Sequence, residues 1–436
     1  MNDRHYEVAI IGGGPAGMAA ALAARAGGAN QVIIIERDYD LGGILPQCIH
    51  DGFGLMVLKA RYTGPEYADI YKEKVAKAKI ETLLDTMVLE ISAPTQNNED
   101  FILTAINSQQ GVFDLRAQAV VLAMGCRERT RAQVMIPGSR PAGVFTAGTA
   151  QRLVNIEGVL PGKRAVILGS GDIGLIMARR LHLEGVTVEG VYEILPQPSG
   201  LTRNVVQCLD DYAIPLHLSH TITAIHGKKR VDAVVVSQVD AERQPIVGSE
   251  RQIKCDTVIL SVGLIPENEL STQAGVVLDQ RTGGPTVDTT MQTSIPGLFA
   301  CGNVVNVYDL VDYVTMSAQV AGLSAAAYIK QPPKTKAKVL QVKAGENVQF
   351  VVPQTINLND LPPELNLYLR VKTTARKVRV KVQAGGKLLV NKSHKIVRPP
   401  EMVAVKVKAS VLMGISDSEI SINVVDDSGK GERVCQ

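Results

Sequence analysis

None of the six cysteines in this 436-residue chain (Cys48, Cys126, Cys208, Cys255, Cys301, Cys435) stands close to another in sequence. The absence of any C-x-x-C or similar pair removes the support for a zinc site or a disulfide framework, and it suits a reducing cytoplasm with free thiols. No apolar run approaches the ~20 residues that a membrane-spanning helix requires, so no transmembrane segment is expected. The first buried strand opens at Val8, which leaves no room for a signal peptide and makes the cytoplasm the expected location. There is little net charge, only +3, and no tryptophan. That balance argues against nucleic acid as the main partner. What is present is a globular composition, 45% hydrophobic and 20% charged. A chain of this length exceeds one small core, and two or three domains are expected.

The organising stretch is VAIIGGGPAGMAAALAARAGGANQVIIIE, residues 8–36. Val8 to Ile11 reads as a buried strand, Met18 to Ala26 as a helix and Val32 to Ile35 as a second strand that ends at Glu36. Between the first strand and the helix, Gly12, Gly14 and Gly17 stand at the spacing G-x-G-x-x-G. Gly12 permits the tight turn, Gly14 lets backbone approach a pyrophosphate, and Gly17 lets the helix lie close to the strand. The helix start offers unpaired N–H groups to phosphate, and Glu36 is placed to accept from a ribose diol. A structural Gly-rich turn alone leaves Glu36 unexplained, so the unit reads as dinucleotide binding.

Residues 165–193 repeat it: strand Ala165 to Leu168, GSGDIG with Gly169, Gly171 and Gly174, helix Leu175 to Glu184, strand Val186 to Tyr192, then Glu193. The chain therefore carries two dinucleotide units. Glu193 favours NAD, because its charge repels a 2′-phosphate, while Arg203 is a cation that could serve NADP. Between the units, Pro65 to Lys79 reads as a helix and Thr82 to Ile91, Phe101 to Ile106 and Val112 to Leu115 as a small antiparallel meander. Ala119 to Ala123 reads as a buried strand running into Met124-Gly125. After Asp256 to Gly263, a further strand, residues 285–303 lead into a helix from Asp312 to Ile329. Beyond Gln331-Pro332-Pro333 the pattern turns to period two, an all-β domain. Residues 334–436 carry 18 Lys and Arg against 9 Asp and Glu, a net +9, and the rest of the chain a net −6. The alternation sends Lys377, Arg379, Lys381, Lys406 and Lys408 to one side of their strands, a basic face that is either solvated or presented to an acidic partner or neighbouring copy.

IGGGPAG…IIIE, Met124-Gly125, GSGDIG…E, VILSVGLIPEN and PGLFACGN together resemble the two-domain flavoproteins of the pyridine nucleotide-disulfide oxidoreductase superfamily over residues 6–330. The stretches GGILPQCIHDGFGL, RPAGVFTAGTAQ and CGNVVNVYDLVDYV look most like NAD/FAD oxidoreductases linked to glycerol-3-phosphate dehydrogenase systems and like larger subunits of opine, proline and cyanide-forming amine dehydrogenases. The resemblance implies an α/β fold of two Rossmann-like three-layer domains with a C-terminal all-β domain: an FAD domain at 1–144 with a return segment at 271–330, an NAD domain at 145–270, and the β domain at 334–436. It implies FAD on Gly12, Gly14, Pro15, Ala16, Gly17, Glu36, Arg37, Gly42, Gly43, Val88, Met124 and Gly125, with Gly302, Asn303 and Asp312 from the return segment. It implies a nicotinamide dinucleotide on Gly169, Gly171, Asp172, Ile173, Gly174, Glu193 and Gly263. Asn303 replaces the family's usual acid, and its amide still hydrogen-bonds ribityl and phosphate oxygens. A helix start is enough to explain Asp309 and Asp312, while in the family the same helix start points at the flavin pyrimidine and favours the anionic reduced flavin. Cys126 and Cys301 read as packing residues.

The family's redox cysteine pair is missing. Cys48, five residues after Gly43, is alone, so a local redox disulfide cannot form. Cys48 and His50 are the candidate catalytic residues: a thiolate beside the flavin, assisted by the histidine, or a thiol that merely lines the pocket. The expected activity is hydride transfer between NAD(H) and FAD, with electrons passing to or from a small acceptor, a partner oxidoreductase or iron–sulfur subunit, or within a homo-oligomer. The alternatives are an NADH oxidase or peroxidase using Cys48, the FAD subunit of an amino-acid or opine dehydrogenase, and a non-enzymatic flavin module with a vestigial second fold. No metal site is expected.

Overall fold

The structure is a computed structural model that describes residues 4–95, 99–331, 338–415 and 417–427; Pro332, Pro333 and Cys435 lie outside these. Two compact units divide the chain, residues 1–126 with 266–436, and residues 127–265. The sequence-based boundaries of 144/145 and 270/271 stand against crossings at 126/127 and 265/266.

In the first unit, β1 (His5–Ile11) lies at the middle of a seven-stranded sheet. It pairs in parallel with β2 (Val32–Ile35) on one side and with strand Gly111–Leu122 on the other. Every residue of β2 is buried, as a strand covered on both faces must be. Between β1 and β2 runs α1 (Pro15–Ala26), whose Ala-rich surface packs against the long helix Val311–Lys330. A side chain at Gly322 of that helix would overlap the Ala20 carbonyl oxygen and lie 2.9 Å from Ala23 Cβ, so small residues on both helices set their spacing.

Two readings of the sequence are corrected. Thr82 to Ile91 is two strands, Glu81–Leu83 and Thr86–Ser92, divided at Asp85 with its positive φ of 49°. Val112 to Leu115 and Ala119 to Ala123 are one strand, Gly111–Leu122. Its first half pairs antiparallel with Phe101–Asn107 and its second half parallel with β1 and with Leu298–Ala300. The meander is thus an extension of the dinucleotide sheet. Arg116 and Gln118 lie between the two apolar halves and disguise the continuity.

The second unit holds a five-stranded all-parallel sheet, centred on β3 (Arg164–Leu168) and β4 (Thr187–Glu193), with α2 (Asp172–Leu183) between them. A three-stranded antiparallel sheet, His220–Gly227, Val231–Gln238 and Arg251–Lys254, adds a second core.

The C-terminal region is a β structure of one five-stranded and one three-stranded sheet with its own core. Val378, Val380 and Val382 are buried while Arg379 and Lys381 face outward, as period two requires. Part of this region belongs to the core of the dinucleotide sheet: Phe350, Val352, Tyr368 and Met402 are buried in the same cluster as Ile10 and Val121.

Gly322→Val should destabilise the protein by about 1–3 kcal/mol through overpacking at the α1 crossing. Thermal or urea denaturation of the variant checks this, and an unchanged midpoint would contradict the packing described.

Candidate dinucleotide sites

In the first glycine turn a Cβ on Gly17 would overlap the Gly12 carbonyl oxygen, and one on Gly12 (φ 105°) would lie 2.5 Å from the Ala123 oxygen. Both contacts are within the protein: the first brings α1 onto the end of β1, and the second brings that end against the end of strand Gly111–Leu122. Gly14 differs: a Cβ there meets nothing nearer than Gly43 Cα at 3.8 Å. The space over Gly14 is open on the side where a ligand backbone would approach. Gly14 is also the N-cap of α1, Pro15 follows it, and no side chain caps this helix start. Its free N–H groups and positive dipole end are therefore available to an anion.

Glu36 is 7% exposed. Its Oε2 accepts from the Gly13 N–H (2.5 Å) and its Oε1 from the Asp38 N–H (2.8 Å), which fixes the carboxylate beside the turn. Gly42 N–H donates to the Gly13 oxygen (2.9 Å), so the Gly42-Gly43 loop closes on the same turn. Met124-Gly125 follows Ala123, whose N–H donates to the Ile11 oxygen (2.9 Å). Gly302 lies so close to Ala16 that a Cβ would come within 2.8 Å of it. Asn303 follows; its Oδ1 accepts from Tyr308 N–H (3.1 Å) and its Nδ2 donates to Cys126 Sγ (3.5 Å). One turn thus gathers Gly12, Gly14, Pro15, Ala16, Gly17, Glu36, Gly42, Gly43, Met124, Gly125, Gly302 and Asn303. Arg37 is exposed and pairs with Glu267 (3.7 Å), and Val88 is a buried residue of strand Thr86–Ser92.

Asp312 is 1% exposed, and its Oδ1 accepts from the N–H groups of Met56 (2.9 Å) and Val57 (2.8 Å). It ties the loop after Phe53 to the start of helix Val311–Lys330, a long-range role that its place in the sequence could not reveal. Cys48 follows a short turn, Leu45–Gln47, and its Sγ donates to the Ile44 oxygen at 3.3 Å. Burial pushes its thiol up to about 12. The His50 ring packs on Phe53 at 5.0 Å. A thiol whose pKa is raised stays protonated at every pH below that value, so this geometry favours the lining role over a resting thiolate.

The second turn repeats the first in detail. A Cβ on Gly169 (φ 96°) would overlap the Ser261 carbonyl oxygen, and one on Gly174 would lie 2.6 Å from the Gly169 oxygen. At Gly171 the nearest atom is Ser261 Oγ at 3.5 Å, so this turn is open as well. Ser261 N–H donates to the Leu168 oxygen (2.7 Å), as Ala123 does to Ile11, and Gly263 follows Ser261 by two positions, as Gly125 follows Ala123. The carboxylate differs. Glu193, 4% exposed, accepts at Oε2 from Ser170 N–H (2.9 Å), Ser170 Oγ (2.6 Å) and Ser199 Oγ (2.8 Å), and at Oε1 from Leu195 N–H (3.0 Å). Asp172, in the first turn of α2, accepts at Oδ1 from Leu201 N–H (2.8 Å) and Asn204 Nδ2 (2.6 Å). Ser170, Ser199 and Asn204 escaped sequence reasoning. The signal available was Ser170 itself, standing where the first motif has Gly13.

A family model for the pyridine nucleotide-disulphide oxidoreductases matches residues 6–325. The chain belongs to that family. Its members bind FAD and NAD(P), and the two open glycine turns, each with a helix start and a fixed carboxylate, fit those two groups. The chain is an oxidoreductase of this class. Among curated relatives, hydrogen cyanide synthase subunit HcnB of Pseudomonas protegens is 28% identical over 284 residues, 61% of this chain and 58% of that protein, so the match spans little more than half of that relative. An opine oxidase subunit from Agrobacterium tumefaciens is 25% identical over 87% of this chain and 79% of its own length. Thioredoxin reductase of T. acidophilum superposes with a TM-score of 0.61 at 24% identity, covering 74% of this chain and 99% of its own, a likeness of fold. The disulphide in the family name has no local counterpart here: no disulfide joins any of the five cysteines among the described residues.

Gly14→Val should fold normally yet carry no flavin, because its side chain fits the protein but fills the open space; Gly17→Val should fail to fold. Circular dichroism with visible absorbance separates the two, and a yellow Gly14→Val protein would contradict the assignment. Native Cys48 should alkylate at pH 8 at least ~100-fold more slowly than a free cysteine, since its thiolate fraction there is lower by about three orders of magnitude. Peptide mapping after iodoacetamide treatment reads this, and fast labelling would restore the thiolate reading.

Proposed function

We propose that the chain moves a hydride between NAD(H), held on the second glycine turn, and FAD, held on the first, and exchanges electrons with a partner oxidoreductase subunit. The observation that carries the proposal is the duplicated turn: two open glycine positions, Gly14 and Gly171, each at an uncapped helix start and each facing a hydrogen-bonded glutamate. When bound, FAD supplies the redox chemistry, and the protein's contribution is position and electrostatics. In this reading the N-terminal N–H groups of α1 and α2 receive pyrophosphate oxygens. Glu36 and Glu193 accept from the ribose hydroxyls, and Asn303 hydrogen-bonds uncharged or phosphate oxygens of the flavin arm. No side chain has to move a proton for the hydride step, in keeping with the raised Cys48 thiol. That thiol also weighs against an oxidase or peroxidase built on a Cys48 thiolate.

The partner subunit is supported by two relatives that are themselves named as subunits, of hydrogen cyanide synthase and of opine oxidase. The basic outward residues of the C-terminal sheets suit an acidic partner. The glycerol-3-phosphate system rests on the resemblance of GGILPQCIHDGFGL, RPAGVFTAGTAQ and CGNVVNVYDLVDYV alone. Among the described residues no helix is long and apolar enough to cross a membrane, and a cytoplasmic location is part of this proposal.

NADH is the proposed nucleotide, because a 2′-phosphate would meet the Glu193 carboxylate. Anaerobic stopped-flow reduction should be at least ~10-fold more efficient with NADH than with NADPH, a difference of ~1.4 kcal/mol. Equal or faster reduction by NADPH would show that Arg203 or another cation outweighs Glu193.

A further inference from the structure

The C-terminal β region grips the segment that leads from Asn303 into helix Val311–Lys330. Arg370, on strand Glu364–Val371, donates from Nη2 to the Val307 oxygen (3.0 Å) and from Nη1 to the Pro399 (3.0 Å) and Pro400 (2.6 Å) oxygens. Two residues on, Asp309 Oδ2 accepts from the Met402 N–H (2.9 Å). Between these anchors the Tyr308 ring meets Tyr368 edge-on at 5.7 Å, and Tyr368 also meets Tyr313 at 5.1 Å. The gripped segment in turn holds the flavin-side asparagine, because Tyr308 N–H donates to Asn303 Oδ1. Gly302, next to Asn303, abuts Ala16 at the start of α1. A continuous path of contacts therefore runs from Arg370 through Val307, Tyr308 and Asn303 to the first glycine turn.

We propose that Arg370 is a positioning residue for the flavin site: its guanidinium clamps the Asn303–Asp309 segment, so the C-terminal β region is an integral part of the FAD site. The inference rests on the assignment of FAD to the first turn. The physical reason is the planar guanidinium fork, which holds three carbonyls in fixed directions, whereas lysine in its place would reach one or two without that geometry. Asn303 has to present its remaining amide N–H in one direction to be useful, and an unclamped loop would spread it over several.

The full-length chain tests this with Arg370→Ala, Arg370→Lys, Asn303→Ala and the double variant Arg370→Ala/Asn303→Ala. Two readouts are taken, the FAD dissociation constant and amide hydrogen exchange of the peptide covering residues 303–309. Arg370→Ala should weaken FAD at least ~10-fold and speed exchange in that peptide at least as much, with Arg370→Lys recovering part of both. Asn303→Ala should weaken FAD similarly, and the double variant should be no weaker than the worse single one, since both remove the same element. Unchanged FAD affinity in Arg370→Ala, or fully additive losses in the double variant, would overturn the proposal. Where Arg370→Ala does not fold, Arg370→Lys carries the same comparison. A wild-type chain that takes up no flavin would refute the FAD assignment, and exchange in the 303–309 peptide would still decide the clamp.

Discussion

The approach of α1 to the end of β1 is the constraint on which the rest of the first unit depends. Gly17 touches the Gly12 carbonyl, and no residue with a side chain could stand there. Once that contact is made, the helix start points into the open space over Gly14. Ala123 then closes against Gly12, and Gly302 can reach Ala16. The small residues of the two packed helices, Ala20, Ala23 and Gly322, let the return segment lie against α1 as closely as α1 lies on its strand. A site for a large dinucleotide is thus set by backbone contacts. Charge enters as a fixed carboxylate and a helix dipole, with no cluster of titrating side chains.

The second unit uses the same contact at Gly174 and Gly169 and then departs from it. Where the first turn has Gly13, which has no side chain to donate, the second has Ser170, whose hydroxyl joins Ser199 on the same oxygen of Glu193. The first carboxylate is held by two backbone N–H groups, the second by two backbone N–H groups and two hydroxyls. The first keeps more of its hydrogen-bonding capacity for a ligand. The second is committed to its own loop through Ser170, Leu195 and Ser199, so a ribose bound there in the proposed way would share or replace one of these donors. That asymmetry suits a retained cofactor on one side and an exchanging nucleotide on the other.

What was legible in the sequence was local. The strand–turn–helix–strand units, their nineteen-residue spacing to a glutamate and the period-two C-terminal region follow from patterns within about thirty residues. The mixed α/β class with a strand-rich C-terminal region followed from them. The contacts that finish the first site run between distant positions: Asp312 to Met56 and Val57, Arg370 to Val307. No short-range pattern encodes these. Residues 111–122 show the same limit in the fold, because one strand that changes partners midway carries a polar interruption that reads as a turn. Cys48 was open to two readings in sequence; its hydrogen bond to the Ile44 carbonyl and its raised thiol favour the lining one.

Native mass spectrometry of the purified full-length chain with and without NADH reaches the central claim directly, that two dinucleotides occupy two different turns. The expected result is one FAD retained per chain, and one further nucleotide gained on adding NADH with the FAD still in place. A chain without flavin, or one in which NADH displaces FAD, would contradict it.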